Sequence, residues 1–216
     1  IVRCRPDMAE WRADYLQQVC EFAQTEEILG ELREILGEIP LLFTFRTAAE
    51  GGEQEIAQES YIALYKKVME SGLVDAIDVE LFLGDTLVTA LTAYAHENNV
   101  KVIASNHDFV KTPTKEELVR RLSAMQKLGA DVAKIAVMPS DKNDVLTLLT
   151  ATHEAACADC GPVITMSMGG CGMVSRLLGE AFGSALTFAM AGRASAPGQI
   201  PIEELREILE IIHRHS

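Results

Sequence analysis

The feature that most constrains this chain is a repeated alternation of short apolar runs with amphipathic stretches, one pair every ~20 to 35 residues, the length of a βα unit. Met8-Ala9-Glu10-Trp11-Arg12-Ala13-Asp14 alternates apolar and charged residues and predicts a short strand. Further strands are predicted at Leu41-Leu42-Phe43-Thr44-Phe45, at residues 76–81, 100–104, 130–139 and 163–168, and at residues 185–189. Helices are expected between them, over residues 28–36, 54–70, 86–97, 115–128, 141–155 and 174–182, with a last one over 201–213. Thr112-Pro113-Thr114-Lys115-Glu116-Glu117 is a strong helix start, and Pro139-Ser140 reads as the next cap. Gly169-Gly170-Cys171-Gly172 reads as a turn that opens the helix after it.

Apolar runs with so few polar breaks belong to parallel sheets covered on both faces. Seven strands, each followed by a helix, predict an α/β fold closed as a (β/α)8 TIM-type barrel in one domain over residues 1–216. The opening residues 1–6 read as the end of a helix, so the barrel is expected to lack its first strand and most of its first helix. A doubly wound open sheet is the rival, but no dinucleotide-binding glycine fingerprint follows the first strand.

Composition narrows the function. A formal charge of -13 disfavours nucleic acid as a partner, because phosphate backbones need clustered Lys and Arg. A small anion remains possible where a few arginines converge. No window resembles a membrane span, and no signal-peptide pattern opens the sequence. The five cysteines fit free thiols in a reducing cytoplasm. Cys157-Ala-Asp-Cys160 has half-zinc spacing, but with no second pair or well-placed histidine no metal is expected.

Chemistry in a barrel gathers at the carboxyl ends of the strands. Polar residues recur there: Glu10 and Arg12, Arg46 and Glu50, Asp78 and Glu80, His107, Lys134, then Ser167 and Arg176. Lys134 stands in the middle of an apolar strand, and burial lowers the cost of the neutral, nucleophilic amine. The plain alternative is a lysine that snorkels its head to water or pairs with a carboxylate. His107 is one βα unit away and could serve as a proton carrier, or be an ordinary loop histidine. His96, His153, His213 and His215 read as surface residues.

Taken as a set, these stretches resemble type I 3-dehydroquinate dehydratase. The residues that carry the resemblance are Glu10-Trp11-Arg12, Phe45-Arg46 through Glu50-Gly51-Gly52, Asp78-Val79-Glu80-Leu81, and Val102-Ile103-Ala104-Ser105-Asn106-His107-Asp108. Lys134-Ile135-Ala136, Met166-Ser167-Met168, Ser175-Arg176 and Ser195-Ala196-Pro197-Gly198-Gln199 continue it to the C-terminal end. The resemblance implies a barrel, a cytoplasmic homodimer, and a syn elimination of water from 3-dehydroquinate that needs no metal or organic cofactor. It further implies that Lys134 forms an imine with the substrate ketone, that His107 acts as base and then acid, and that Glu50 orients His107. Arg176 would hold the substrate carboxylate, Glu10, Arg12 and Arg46 the ring hydroxyls, and Ser195 and Gln199 would belong to a loop that closes over them. The run Gly169-Gly170-Cys171 is richer in glycine than the family's loop. Two other readings are kept: another imine-forming barrel lyase such as a class I aldolase, and an inactive barrel retained as a scaffold.

Overall fold

The computed structural model describes residues 4–158, 161–192 and 194–215. The expectations for Ile1, Val2, Arg3 and Cys160 therefore lie outside the described residues. The chain divides into two compact bodies, one holding residues 4–105 and 128–131, the other the remaining described residues.

The first body contains β1 (Ala9–Arg12), α1 (Phe22–Leu36), β2 (Leu41–Thr44), α2 (Gln58–Glu70), β3 (Ala76–Glu80), α3 (Asp85–Glu97) and most of β4 (Lys101–Asp108). β1 pairs with β2, β2 with β3, and β3 with β4, all parallel. Neighbours in the sheet are neighbours in sequence, as a barrel requires, with none of the order reversal of a doubly wound sheet. The core is apolar and aromatic: Phe43, Phe45, Tyr61, Tyr65, Val68 and Ile77 are fully buried or nearly so. Tyr61 and Tyr65 stack with ring centroids 4.2 Å apart. The Tyr65 hydroxyl donates to the Asp78 carbonyl at 2.6 Å and accepts from the Phe45 amide at 3.1 Å, which ties the carboxyl end of β3 to that of β2.

The second body holds the end of β4, then α4 (Lys115–Lys127), β5 (Val132–Val137), α5 (Lys142–Cys157), β6 (Val163–Ser167), α6 (Gly169–Leu178) and α7 (Ile202–His215). β5 and β6 pair in parallel, with Lys134 opposite Ile164 and Val137 opposite Ser167. Leu118, Leu122 and Met125 of α4 are buried at helical spacing, as their periodicity predicts, and Val145 and Leu148 of α5 are buried likewise.

Several local expectations change. Residues 185–189 form no named strand, although their sequence is apolar; the described residues contain six strands. Backbone pairing touches this stretch only at its ends, through the Val163–Ser184 and Met190–Pro201 bridges. Between them the carbonyls face side chains instead of a ladder: Leu186 accepts from the Ser184 hydroxyl and Phe188 from the Arg176 guanidinium. β4 runs through His107, which is therefore a strand residue and not a loop one. α2 starts four residues later than expected because Gln54 is held in the loop: its backbone bridges Thr47 and its amide donates to the Asp14 and Leu16 carbonyls. The cap of α5 is Asp141, whose carboxylate accepts from the amides of Asn143 at 2.7 Å and Asp144 at 3.1 Å, not Pro139-Ser140.

The glycine-rich run also has a physical cause. It forms the first turn of α6, and a Cβ on Gly172 would sit 2.4 Å from the Ser167 carbonyl carbon and oxygen. A Cβ on Gly198 would meet the Gly169 carbonyl oxygen at 2.5 Å, and the Gly169 amide donates to the Pro197 carbonyl. The run is thus small so that β6 and the 195–199 loop can approach α6 closely. Gly172→Ala is expected to destabilise by about 1–3 kcal/mol, the usual cost of overpacking. Gly170→Ala, with nothing within 4 Å of the added carbon, should be neutral or stabilising. Urea unfolding midpoints of the two variants check the contrast.

Candidate active site

In the first body the carboxyl ends of β1, β2 and β3 carry a buried ionic cluster centred on Arg46, which is 3% exposed. The guanidinium donates through Nη2 to Asp78 Oδ1 at 2.7 Å, and through Nη1 to Glu80 Oε1 and Ser105 Oγ, each at 2.9 Å. Glu50 Oε2 stands 3.7 Å from Nη1. Surrounding carboxylates hold the Arg46 guanidinium well above its ordinary value even though burial opposes the charge. Glu80 is fixed in turn by the Thr47 amide at 2.8 Å and the Thr47 hydroxyl at 2.6 Å. Fully hydrogen-bonded ions are the condition under which such a cluster persists away from water. Arg46→Met should leave Asp78, Glu80 and Glu50 buried without their counter-charge, at a cost of about 3–5 kcal/mol. Denaturant unfolding of the variant is the check; a change below 1 kcal/mol would show the cluster to be solvated.

Arg12 and Glu10 lie beside this cluster on β1. Asp14, fully buried, accepts from Arg12 Nε at 2.8 Å and Nη2 at 2.7 Å, and also from the Arg46 and Glu53 amides. Those bonds hold the Asp14 carboxyl below its usual range despite an opposing desolvation cost. Glu10 Oε1 accepts from the Thr44 hydroxyl at 2.8 Å. Arg12 is therefore aimed by Asp14 and Arg46 by the β3 carboxylates.

The second body holds the other candidates. Lys134 is 4% exposed, in the middle of β5, and its Nζ lies 4.4 Å from the centroid of the Phe188 ring. The snorkelling alternative does not hold for a side chain so enclosed. His107 is half-buried near the end of β4 in the same body. Its neighbour Asn106 accepts from Arg121 Nη1 at 2.7 Å, and Arg121 is itself gripped by Glu117, which fastens this strand end to α4. Arg176, on α6, is 1% exposed. Its Nη1 reaches the Phe188 carbonyl at 3.2 Å and the Met166 sulfur at 3.5 Å, its Nη2 the Pro197 carbonyl at 3.3 Å, and its Nε has no partner among the described residues. Burial alone pulls this guanidinium down to about 10. A buried cation with only neutral acceptors around it is a socket for an anion. Ser195 and Gln199 bond each other across the loop: Gln199 Oε1 accepts from the Ser195 amide at 2.8 Å, and Gln199 Nε2 donates to Ser195 Oγ at 3.1 Å.

The sequence profile of the type I 3-dehydroquinase family matches residues 1–216. The chain belongs to the type I 3-dehydroquinase family. A 3-dehydroquinate dehydratase of Salmonella agona is 56% identical over 210 residues, spanning 96% of this chain and 83% of that protein. A solved type I 3-dehydroquinate dehydratase of Clostridium difficile, carrying covalently modified comenic acid, superposes with a TM-score of 0.95 at 52% identity, covering 98% of this chain and 84% of that one. A 3-dehydroquinate dehydratase structure from Geobacillus kaustophilus superposes with a TM-score of 0.97 at 41% identity, covering all of this chain and 84% of that one.

For a type I 3-dehydroquinase the residues that sequence reasoning missed are those that hold the named ones. Asp14, just past β1, and Ser105, inside β4, are buried polar residues, a signal available in the sequence but weak without knowledge of burial. Phe188 carried no signal, since it sat in a predicted strand. Of the cysteine pair only Cys157 is described, and it has a histidine beside it that the sequence reading did not expect: His153 lies one helical turn before it, with ring nitrogens 3.8 and 3.9 Å from the sulfur. Among the described residues no group of three or more metal-ligating side chains comes together.

Proposed function

We propose that this chain dehydrates 3-dehydroquinate to 3-dehydroshikimate, as a hydro-lyase of the shikimate pathway, through an imine on Lys134. The observation that carries the chemistry is one body holding both a buried lysine amine and a buried arginine without a carboxylate partner among the described residues. The first suits a ketone, the second a carboxylate, and 3-dehydroquinate has both.

In the reaction, Lys134 Nζ bonds to the C3 carbonyl carbon and the carbonyl oxygen leaves as water. The iminium then draws electrons from the neighbouring C2–H bond as His107 takes the proton, giving an enamine. The enamine electrons expel the C1 hydroxyl, to which His107 gives the proton, so water leaves from the same face at which C2 was deprotonated. Hydrolysis of the imine releases product and restores the amine. Arg176 grips the C1 carboxylate through a two-pronged guanidinium contact. The family resemblance assigns the ring hydroxyls to Glu10, Arg12 and Arg46, and the orientation of His107 to Glu50. Ser195 and Gln199 break their mutual bonds to reach the substrate as their loop closes and excludes water. The reading needs neither metal nor organic cofactor, and it includes a cytoplasmic homodimer, which light scattering and cell fractionation test.

Borohydride added with 3-dehydroquinate should leave a reduced substrate adduct, located on Lys134 by peptide mass analysis, alongside steady turnover. Trapping by a sugar phosphate instead would favour an aldolase. Tight folding with neither adduct nor turnover would leave only the scaffold reading.

A further inference from the structure

One buried carboxylate of the first body joins two parts that the resemblance assigns to different tasks. Asp14 accepts four hydrogen bonds, as many as the two oxygens of a carboxylate have lone pairs. Two come from Arg12, Nε on Oδ1 at 2.8 Å and Nη2 on Oδ2 at 2.7 Å, the parallel pair that fixes a guanidinium in its plane. The other two come from the main chain, the Arg46 amide on Oδ1 at 3.3 Å and the Glu53 amide on Oδ2 at 3.1 Å. Arg46 and Glu53 stand at the two ends of the turn that carries Glu50. Within it the Gly52 amide donates to the Thr47 carbonyl at 2.8 Å and the Ala48 amide to the Gln54 carbonyl at 2.9 Å. A Cβ on Gly52 would stand 1.9 Å from the Arg46 carbonyl oxygen, so the turn has no slack. Each oxygen of Asp14 thus holds one N–H of the Arg12 fork and one end of the Glu50 turn. A shift of either draws on the other.

We propose that Asp14 is a positioning residue that sets Arg12 and Glu50 in a single geometry, so that the group assigned to substrate binding and the group assigned to proton transfer are placed by one carboxylate. The inference rests on the reading in which Arg12 takes a ring hydroxyl and Glu50 orients His107, and it adds that the two depend on each other through Asp14. An amide in place of the carboxylate keeps the shape but turns one accepting edge into two donors. Whichever oxygen is replaced, the new donors face one N–H of the fork and one amide of the turn. A loosened fork weakens ground-state and transition-state binding alike, which appears in KM. A loosened turn displaces a group that acts on proton transfer, which appears in kcat.

The test is a double-mutant cycle on the full chain with 3-dehydroquinate as substrate. Asp14→Asn should raise KM by about 10- to 100-fold, the factor equivalent to one hydrogen bond to a charged group, and lower kcat by no more than Glu50→Gln does. In an Arg12→Met background the same substitution should raise KM by less than about threefold further, and in a Glu50→Gln background it should leave kcat nearly unchanged, because residues that act as one unit are not additive. Gln54→Met serves as a milder variant should the asparagine variant lose its native circular dichroism. It removes the side-chain bonds to the Asp14 and Leu16 carbonyls and leaves the carboxylate in place. The same two changes are expected of it, smaller in size and equally non-additive.

A folded variant with the wild-type KM, or a rise in KM as large in the Arg12→Met background as in the parent, would overturn the inference and leave Asp14 a residue of the fold alone. In that event, normal trapping of 3-dehydroquinate on wild-type Lys134 leaves the imine reading standing. A wild type that neither traps nor turns over the substrate would instead sink the imine reading, and the positioning role with it.

Discussion

Lys134→Met is expected to lose all borohydride-trappable adduct and to turn over 3-dehydroquinate at least ~10^4-fold more slowly, since removal of a nucleophile that carries the covalent step leaves only binding and orientation. The same variant should be at least as stable as the parent. An ammonium at 4% exposure costs desolvation energy that a thioether chain of similar length does not. Stability and activity therefore move in opposite directions, the signature of a residue kept for chemistry at the expense of the fold. A variant that lost activity and unfolded more easily would instead mark Lys134 as a structural ion. Steady-state assay, intact mass after borohydride and a denaturation curve, taken on one preparation, separate the two.

The lysine was legible in the sequence because of its surroundings. An isolated charge amid Ala, Val and Ile declares itself wherever the strand lies, and a parallel sheet buries both faces. The same logic found the strand that leads into Arg46 and the helices with periodic leucines, such as α4. It failed where a stretch has strand-like composition but its backbone groups bond elsewhere. Residues 185–189 read as a strand, yet the Leu186 and Phe188 carbonyls accept from Ser184 and Arg176 side chains. Composition reports side-chain fit to a pleated surface and is silent about which donor a carbonyl will find.

Partners at a distance were the other blind spot. Arg46 and Arg12 could be named from their position at strand ends, but Asp78, Glu80 and Ser105 became partners of Arg46 only once parallel register set β3 beside β2 and β4 beside β3. Register depends on long-range pairing, which one sequence does not display. Gly172 is a case of the same kind. Its need for a missing Cβ comes from Ser167 across a turn, at a separation that only the folded backbone defines. The family resemblance supplied the roles of the named residues; the geometry supplies what holds them.

His107→Ala should separate the two halves of the reaction. Imine formation needs the Lys134 amine and a seated carboxylate, and neither depends on an imidazole, so the variant should still be trapped by borohydride on Lys134. Removal of the C2 proton and protonation of the departing hydroxyl both need a carrier, and the loss of one positioned acid–base group slows a proton transfer by about 10²–10⁴-fold. Turnover should fall by that factor while the trapped fraction at steady state rises, because the imine is made and then waits. Deuterium at C2 gives an independent reading. With His107 gone the C2–H cleavage becomes the slow step, and the isotope effect on turnover should grow toward its full value. Glu50→Gln should move in the same direction by a smaller factor if Glu50 acts through His107, and combining the two substitutions should cost little more than His107→Ala by itself, since residues that work as one unit are not additive. A folded His107→Ala chain that cannot be trapped would mean that the imidazole is needed to make the imine. The division of labour between amine and imidazole would then have to be redrawn.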